Sequence, residues 1–350
     1  MSLDVSLVLV GHHSSALLPA AVEAFRRQAR AAGLTHEVVL VEHSEDAAES
    51  ERAAAAAAPD QLLVRANRGY AAGVNAGIAA ARGRWLLVGN PDVELHDGAL
   101  AALVDALGGG WDVVAPQLEL AGFLFPPAEV QTPAAEAARR LASRSRVAWE
   151  RHLRRELRRS RVVWDAAEAR EVPALSGALL AFPAVLASRL GPWDEGYFLY
   201  FEETDWLRRA RRADARLAVV PRARAAHRWG HAALPEEWTE RFAASRERYY
   251  RRWFPLRSRA LSRLRPRSAP TQLPWSAAPV DGGAHRWLLS PSPAAFPAAL
   301  LEPGIPVDEA AAAFCHACRR PAVTLIAWHP ADDRFDGPFA WIAGSGAAPG

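Results

Sequence analysis

Four apolar runs of strand length, separated by helical segments, fill the first 90 residues and constrain the fold more than any other feature. Their continuous, often β-branched character is typical of strands that are buried on both faces. The first two intervening segments have helical patterns that end at Gly33 and Pro59. This alternation indicates parallel βαβ units, and therefore an α/β fold with a Rossmann-like, mostly parallel sheet flanked by helices. The runs are DVSLVLV (4–10), HEVVLV (36–41), QLLVR (61–65) and RWLLVGN (84–90).

Beyond residue 90 the pattern becomes less regular and then changes character. Three further strands and two long, Arg-rich helical stretches are predicted before residue 265. Proline and serine then cluster, which is typical of a linker, and the last residues again alternate between strand and helix patterns. The expected organisation is an α/β domain over 1–265, a linker over 266–280 and a small C-terminal α/β domain of unassigned role over 281–350. The further strands are 111–118, 176–182 and 216–220, and the helical stretches are 134–161 and 236–264.

Composition excludes several classes of protein. With 50% hydrophobic and 23% charged residues, the chain can bury a core and is not generally disordered. No apolar stretch approaches the roughly 20 residues that cross a bilayer, and the N-terminus lacks the basic start of a secretory signal. The two cysteines, Cys315 and Cys318, exclude a disulfide scaffold and fit a reducing compartment. We therefore expect a cytoplasmic protein.

All 42 basic residues are arginine, and they concentrate in two stretches. Residues 139–161 contain ten Arg and two Glu, and residues 241–267 contain ten Arg and one Glu. Such stretches favour an anionic partner, such as a membrane surface or a pyrophosphate-linked acceptor, although solvated helix faces explain them equally well. Neither stretch has the interleaved aromatics and glycines of single-strand binders, or a DNA-binding motif, so no nucleic-acid partner is expected.

Polar and glycine residues follow the predicted strands at their carboxyl ends, which is where α/β sheets bind ligands. The segments there begin at Gly11, Glu42, Asn67 and Asn90. The Gly-rich segment NRGYAAGVNAG (67–77) allows the backbone to approach a ligand closely. Asp92 directly follows a buried strand, and its carboxylate fits a Mg²⁺ or Mn²⁺ ion that is shared with a substrate diphosphate.

A further cluster crowds carboxylates together at the start of a predicted helix. Glu202, Glu203 and Asp205 lie within GYFLYFEETDW (196–206). Mutual repulsion in such a cluster raises the pKa of at least one carboxyl group, which suits a general base. An acidic first turn that the helix dipole stabilises explains the same residues. The residues alone leave both interpretations open.

Taken in order, these motifs resemble glycosyltransferase family 2, and specifically its rhamnosyltransferase-like branch. The resemblance covers about residues 4–260 and implies the GT-A fold of nucleotide-diphospho-sugar transferases. No single motif is specific, because Gly-rich loops are common, but six occur in the family's order. They are VVLVEHS, NRGYAAGVNAG, NPDVEL, SGA, WDEGYFLYFEETD and AAHRWG.

The resemblance implies a site for a donor nucleotide and a divalent metal ion. Asn90 and Asp92 match the ends of the family's metal-binding triplet, and His227 matches a histidine that completes the site. Asp92 and His227 are thus the implied ligands of a Mg²⁺ or Mn²⁺ cofactor. Glu42 matches the acidic residue that contacts the nucleoside. The other implied nucleotide- and donor-binding residues are Gly11, His12, Ser44, Asn67, Gly69, Tyr70, Gly73 and Asn75.

The resemblance also implies the chemistry. Glu203 matches the carboxylate that deprotonates the acceptor hydroxyl, with Glu202 and Asp205 beside it. The implied reaction is a single inverting displacement that moves a sugar, with rhamnose from dTDP-rhamnose as first candidate. The acceptor would be a glycan or a polyprenyl-pyrophosphate-linked molecule, met in the cytoplasm at the inner face of the cell membrane. The stretch that lines the donor sugar and the acceptor is Trp193, Asp194 and Glu195.

The sequence departs from the family pattern at four places. Gly-His-His-Ser (11–14) replaces Thr-Tyr-Asn after the first strand, and Asp214 replaces a glycine. Glu42 and Glu203 each replace an aspartate. Displacing a catalytic group by about 1 Å can lower the rate about 100-fold. The alternative hypothesis is therefore a catalytically degenerate homologue that acts as a binding or scaffold protein.

Overall fold

The computed structural model describes residues 3–142, 144–228, 235–255, 272–275, 278, 285–292 and 297–343. Within these residues the chain forms fifteen strands and ten helices. The strands are β1 (Leu3–Gly11), β2 (His36–Glu42), β3 (Gln61–Val64), β4 (Gly83–Gly89), β5 (Val93–Leu95), β6 (Val113–Leu120), β7 (Phe123–Leu124), β8 (Arg170–Glu171), β9 (Leu179–Pro183), β10 (Leu217–His227), β11 (Leu273–Pro274), β12 (Arg286–Ser290), β13 (Ala299–Leu301), β14 (Ala322–His329) and β15 (Arg334–Ile342). The helices are α1 (Leu18–Ala31), α2 (Ala47–Ala57), α3 (Tyr70–Ala80), α4 (Ala99–Gly108), α5 (Pro133–Ala142), α6 (Arg146–Trp164), α7 (Ala184–Leu190), α8 (Glu202–Arg212), α9 (Pro235–Trp253) and α10 (Val307–Ala317).

The first four strands form a parallel block in the order β3-β2-β1-β4. Successive residues of β1 face opposite sides of the sheet, so Leu9 packs with Phe25 of α1 and Val8 packs with Val74 of α3. All four side chains are buried, which is why β1 is apolar from Leu7 to Val10. The carboxyl ends of β1, β2 and β4 therefore meet at one edge, as the sequence predicts.

Beyond β4 the sheet becomes mixed, so parallel pairing extends over fewer strands than the sequence predicts. β9 pairs antiparallel with both β4 and β6, whereas β10 runs parallel to β6. An apolar run identifies β9 as a buried strand but carries no signal for its direction. The order across the sheet is β11-β15-β14-β12-β13-β7-β6-β9-β4-β1-β2-β3, with β5 and β8 attached through β10.

β10 is longer than the sequence predicts, and its extension reaches the candidate site. The predicted strand ends at Pro221, whereas β10 continues to His227. Its register against β6 shifts between Val220 and Arg224, and the proline lies within this irregularity, where its missing N–H group is tolerated. The last residue of β10 is thereby paired with β5, immediately after Asp92.

Helix boundaries follow capping signals in the sequence. Asp46 accepts a hydrogen bond from the Ala48 N–H group (2.9 Å) at the start of α2. Ser145 caps α6 in the same way, which divides the predicted stretch 134–161 into α5 and α6. In the described ranges, no helix is both long enough and apolar enough to cross a membrane.

The C-terminal strands continue the same sheet. β13 pairs antiparallel with β7 through Leu300 opposite Leu124. α6 covers this region, because Leu153 lies in one buried cluster with Leu288 of β12 and Ile326 of β14. The predicted division at a linker stays a prediction, and most of that linker lies outside the described residues, as does part of the second basic stretch.

Candidate active site

A buried carboxylate lies at the carboxyl end of β2. Glu42 is fully buried, and its Oε1 accepts hydrogen bonds from the backbone N–H group (2.7 Å) and the hydroxyl of Ser44. Among the described residues, neither its Oε2 nor the Ser14 hydroxyl has a hydrogen-bond partner. A Cβ atom on Gly11 would stand 2.7 Å from that Oε2, so the glycine keeps the adjoining space open. Because buried polar atoms without partners are destabilising, this arrangement fits a ligand that donates to Glu42.

Two histidines follow Gly11 at the same edge. The rings of His12 and His13 meet edge to face, with centroids 4.7 Å apart, and the His13 backbone N–H group donates to Ser44 Oγ (2.8 Å). Burial, and then the neighbouring His13, lower the pKa of His12, which favours a neutral imidazole at pH 7. The structure thus brings the predicted residues Gly11, His12 and Ser44 together around Glu42.

The Gly-rich segment docks against the segment that leads into the acidic cluster. Gly69 has a φ of +98°, and a Cβ atom there would stand 2.5 Å from the carbonyl oxygen of Phe198. The Tyr70 N–H group donates to that oxygen (2.8 Å), and Asn67 Oδ1 accepts from the Gly69 N–H group (3.1 Å). Only glycine suits a position that needs both a positive φ and so close an approach. Gly73 lets α3 pack on β1, since a Cβ atom there would stand 2.6 Å from a valine methyl carbon.

The environment of the Tyr70 hydroxyl shows which carboxylates lie near one another. The hydroxyl is buried, and no described residue forms a hydrogen bond with it. Burial raises the pKa of Tyr70, and the negative charges of Glu202, Glu203 and Asp92 raise it further. The hydroxyl therefore lies within electrostatic reach of the predicted metal ligand and of both clustered glutamates.

The three clustered acids have different environments. Burial raises the pKa of Glu202 well above its usual value, and the neighbouring Glu203 raises it further. Burial also raises the pKa of Glu203. Asp205 is fully buried but is held by Arg209 (3.2 Å) and by the indole N–H group of Trp253 (2.8 Å). Asp205 thus joins α8 to α9, which leaves the two glutamates as the groups available for proton transfer.

Gly177 sets the space that Glu203 occupies. It lies just before β9, and a Cβ atom there would stand 2.7 Å from Cγ of Glu203. Any side chain at this position would displace the glutamate. The sequence shows Gly177 only as the centre of the motif SGA, because spacing along the chain does not tell which distant side chain a glycine faces.

Asn75 holds the segment that the sequence assigns to sugar and acceptor binding. Its Nδ2 donates to the Trp193 carbonyl (2.9 Å), and its Oδ1 accepts from the Trp193 N–H group (2.8 Å). Nδ2 also donates to Glu195 Oε1 (3.1 Å), and Glu195 pairs with Arg68. Trp193 is 1% exposed and stacks on Trp206, so its ring belongs to the core. The structure brings these predicted residues together as a clamp, and their roles toward sugar stay predictions.

Asp194 connects the same segment to α9. Its carboxylate forms ion pairs with Arg248 (2.9 Å) and Arg252 (2.7 Å), and it accepts a hydrogen bond from the Gly196 N–H group (2.9 Å). Burial alone would raise the pKa of Asp194, but these partners together hold it below its usual value. The predicted acceptor segment is therefore fixed from both sides, by α3 and by α9.

Asp92 and His227 form the predicted metal pair. Asp92 Oδ1 lies 3.5 Å from His227 Nε2, and both side chains are largely buried. Asn90, at the other end of the triplet, donates its backbone N–H group to the Ala178 carbonyl (2.9 Å). In the described part of the chain, no three His, Cys, Asp or Glu side chains cluster so that they could hold a metal. One carboxylate and one imidazole fit an ion that takes its remaining ligands from substrate phosphates and water.

A cavity of about 840 Å³ reaches Glu203 from the side of α6, α8 and α9. Glu203 is the only predicted site residue among those that line it in the described structure. Three arginines of α8 also line it, and the sequence analysis missed them. Their one signal in the sequence is a spacing of three and four residues directly after the acidic cluster. They are Arg208, Arg211 and Arg212.

Comparisons with known proteins identify the family of the chain. No curated protein matches the chain. Among solved structures, the chain is similar to GalNAc-T7, crystallised with UDP, GalNAc and Mn²⁺, at 17% sequence identity and a TM-score of 0.46. That similarity covers 65% of this chain and 44% of the other, so the chain spans less than half of that structure's length. A family profile described as "Glycosyltransferase like family 2" matches residues 4–254, and the protein therefore belongs to this glycosyltransferase family.

Proposed function

We propose that the protein is a metal-dependent, inverting glycosyltransferase that moves a sugar from a nucleotide-diphospho-sugar to an acceptor hydroxyl. The observation that carries this proposal is that Asp92, which lies 3.5 Å from His227, and the two buried glutamates Glu202 and Glu203 all act electrostatically on the same Tyr70 hydroxyl. Transfer of a sugar from a nucleoside diphosphate to an acceptor hydroxyl requires a diphosphate site and a general base that lie close together. Membership of the family supports the same class of reaction.

The pocket of Glu42 suits the nucleoside of the donor. Its Oε2 lacks a partner among the described residues and adjoins the space that Gly11 leaves open. A hydroxyl or N–H group of a nucleoside would satisfy this oxygen by donating a hydrogen bond. Rhamnose from dTDP-rhamnose is the first candidate for the sugar, and this choice rests on the family resemblance alone.

Asp92 and His227 are the residues that would hold a Mg²⁺ or Mn²⁺ ion. When bound, such an ion neutralises negative charge on the departing nucleoside diphosphate. The pairing of β10 with β5 sets the imidazole beside the carboxylate before any ligand arrives. Burial of both side chains keeps bulk water away from them, which strengthens their interaction with charge.

Glu203 accepts the proton from the acceptor hydroxyl. Its raised pKa makes it a stronger base than an exposed glutamate, and its place in the wall of the cavity gives an acceptor access to it. Burial and the neighbouring Glu203 raise the pKa of Glu202, which favours its protonated form. The two glutamates together therefore carry one negative charge rather than two. The degenerate alternative is not favoured, because Glu42, Asp92 and Glu203 all keep a carboxylate where the chemistry needs one.

The proposed acceptor is a glycan or a polyprenyl-pyrophosphate-linked molecule, met on the cytoplasmic side at the cell membrane. The outer face of α6 supports membrane contact, because three arginines there are exposed and no described carboxylate lies within 4.0 Å of them. Two valines, 57% and 55% exposed, lie on the same face at its ends. A basic face with apolar ends is typical of helices that lie on anionic membranes. This face, termed the α6 stripe, is Val147, Arg151, Arg155, Arg158 and Val162.

Thermal unfolding with UDP, dTDP, GDP and CDP, each with and without Mn²⁺, tests the donor site. We expect one nucleotide, with dTDP first, to raise the unfolding temperature only with Mn²⁺, because a ligand at 100 times its Kd stabilises by about 2.7 kcal/mol. Asp92→Ala removes the Mn²⁺-dependent part, whereas Asp97→Ala, at a side chain that is 90% exposed, retains it. If none of the four nucleotides raises the unfolding temperature, the proposed donor site is rejected. Nucleotide binding without consumption of any donor sugar would favour the scaffold alternative.

A further inference from the structure

Four arginines line the cavity that reaches Glu203 in the described structure, and three of them come from α8. Arg208, Arg211 and Arg212 lie three and four residues apart on α8, which places them on one face of the helix. Arg208 is half-buried, whereas the other two are exposed and therefore stand at the solvent side of the cavity. All three lie outside the two basic stretches that the sequence analysis identifies. The cavity is thus lined by positive charge along α8, whose first turn contains Glu203.

These three guanidinium groups have no carboxylate within 4.0 Å in the part of the chain that the structure describes. Arg209, on the same helix, differs: it pairs with Asp205 (3.2 Å) and donates to two backbone carbonyls (2.6 and 2.7 Å). An arginine without an anionic partner keeps its charge and most of its N–H groups available for a ligand. Arg209 is therefore structural. Arg208 and Arg211 each donate one hydrogen bond, to the Tyr249 hydroxyl (3.0 Å) and to the Pro173 carbonyl (3.4 Å), and with Arg212 they keep most of their N–H groups for an anion.

The acidic residues of the cavity do not neutralise this charge. Glu129 is paired with Arg139 (3.2 Å), and Glu156 is paired with Arg159 (2.9 Å). Glu203 adds at most one negative charge to the lining, against the three arginines of α8. The cavity therefore presents net positive charge to an entering molecule.

Aromatic side chains of α9 and the residue after it hold Arg208 in place. Its Nη1 donates to the Tyr249 hydroxyl (3.0 Å), and its guanidinium carbon lies 4.4 Å from the centroid of the Phe254 ring. Trp253 adds a second ring at 4.9 Å, and Arg212 lies 5.4 Å from the same indole. Stacking of this kind orients the guanidinium plane before a ligand binds, so less conformational entropy is lost on binding.

We propose that Arg208, Arg211 and Arg212 form an anion subsite that binds a phosphate or diphosphate group of the acceptor. This inference rests on the proposed transferase function and specifies its acceptor as a phosphate-bearing molecule rather than a neutral glycan. Planar guanidinium groups bind phosphate oxygens through paired N–H donors, and three of them match the multiple charge of a diphosphate. The bound phosphate anchors the acceptor within the cavity whose wall includes Glu203. A lipid-linked diphosphate and a soluble sugar phosphate share this chemistry.

Titration calorimetry of the full chain with inorganic pyrophosphate, in EDTA and at low ionic strength, tests the subsite. EDTA removes divalent ions, on which diphosphate binding at the donor site depends. We expect the double variant Arg211→Gln, Arg212→Gln to raise the Kd about tenfold or more, because each lost charged hydrogen bond contributes roughly 1.5–3 kcal/mol. Arg170→Gln, Arg189→Gln is the matched control, since both arginines are exposed and neither lines the cavity. An unchanged Kd in the double variant, or an equal rise in the control, would overturn the proposal.

Two further measurements separate the subsite from the function on which it rests. Mn²⁺-dependent stabilisation by a nucleoside diphosphate must survive in the double variant, and its loss there would overturn the assignment of these arginines to the acceptor. Its absence from the unsubstituted protein would instead reject the transferase function. Titration with farnesyl diphosphate then distinguishes a lipid-linked diphosphate from a soluble sugar phosphate as the acceptor. Tighter binding than pyrophosphate, with the same dependence on arginine, supports a lipid-linked acceptor, and equal binding supports a soluble phosphate.

Discussion

Glu203 stands where the family resemblance expects an aspartate, and Gly177 provides the room for its longer side chain. A Cβ atom on Gly177 would stand 2.7 Å from Cγ of the glutamate. We expect Gly177→Ala to lower kcat about 100-fold with little change in nucleotide binding, because a shift of about 1 Å in a catalytic group has that effect. Steady-state kinetics measure this effect. Gly108→Ala, whose Cβ atom would meet nothing within 4 Å, is the control. An unchanged kcat would contradict the role of Glu203 as the base.

Glu202 couples the stability of the protein to pH. Burial, and then repulsion from Glu203, raises its pKa well above its usual value of 4.5. The folded chain keeps a proton that the unfolded chain releases, so this group lowers the free energy of unfolding as the pH rises above about 4.5. Glu202→Gln removes that loss, and its stabilising effect should grow as the pH rises from about 4.5 to the raised pKa of Glu202 in the folded chain. Urea unfolding across this range measures the effect, with the exposed Glu23→Gln as control. A difference that stays constant with pH would contradict the buried, protonated state.

At the scale of elements, the sequence predicts the strands and helices of the first 90 residues with small errors at their ends. The predicted run 4–10 is strand Leu3–Gly11, in which each residue from Val5 to Gly11 is apolar or small and buried. The sequence fails where the outcome depends on distant partners. No sequence signal near Pro221 indicates that pairing with β6 and β5 extends the strand to His227. Likewise, the contact of Gly69 with Phe198 depends on loops that the fold brings together.

The α6 stripe gives a prediction for a whole helix face. Its three arginines and two valines recur every three or four residues, opposite the buried side chains Trp149, Leu153 and Leu157. Replacing Arg151, Arg155 and Arg158 together by Gln should weaken binding to vesicles that contain phosphatidylglycerol about 100-fold, at about 1 kcal/mol per arginine.

Sedimentation of the protein with these vesicles at low and high salt measures the effect of the stripe. The control is a triple variant that removes the same charge from exposed arginines elsewhere, with Gln at each position. Equal binding by the two triple variants would show that net charge, rather than this face, determines membrane contact. The control positions are Arg30, Arg170 and Arg189.

At the scale of the molecule, convergence of strand ends made part of the site predictable. Gly11, Glu42 and Asn90 come together because parallel strands present their carboxyl ends at one edge. The cavity beside Glu203 was not predictable, since its walls come from helices that are distant in sequence. The same limit applies to the pairing of β7 with β13, because strands of two and three residues carry no periodic pattern.

Whether the C-terminal strands fold with the rest of the chain is the last prediction. Leu153 of α6 is fully buried in a cluster with Leu288 and Ile326 of those strands. Leu153→Ala should lower the free energy of unfolding by about 2–5 kcal/mol through the cavity that it leaves. Because the cluster joins α6 to the C-terminal strands, tryptophan fluorescence and far-UV circular dichroism should still show one coincident transition in urea. Val185→Ala, at a side chain that is 73% exposed, should leave the curve unchanged. Two transitions, of which Leu153→Ala moves only one, would instead support an independent C-terminal domain after a linker at 266–280.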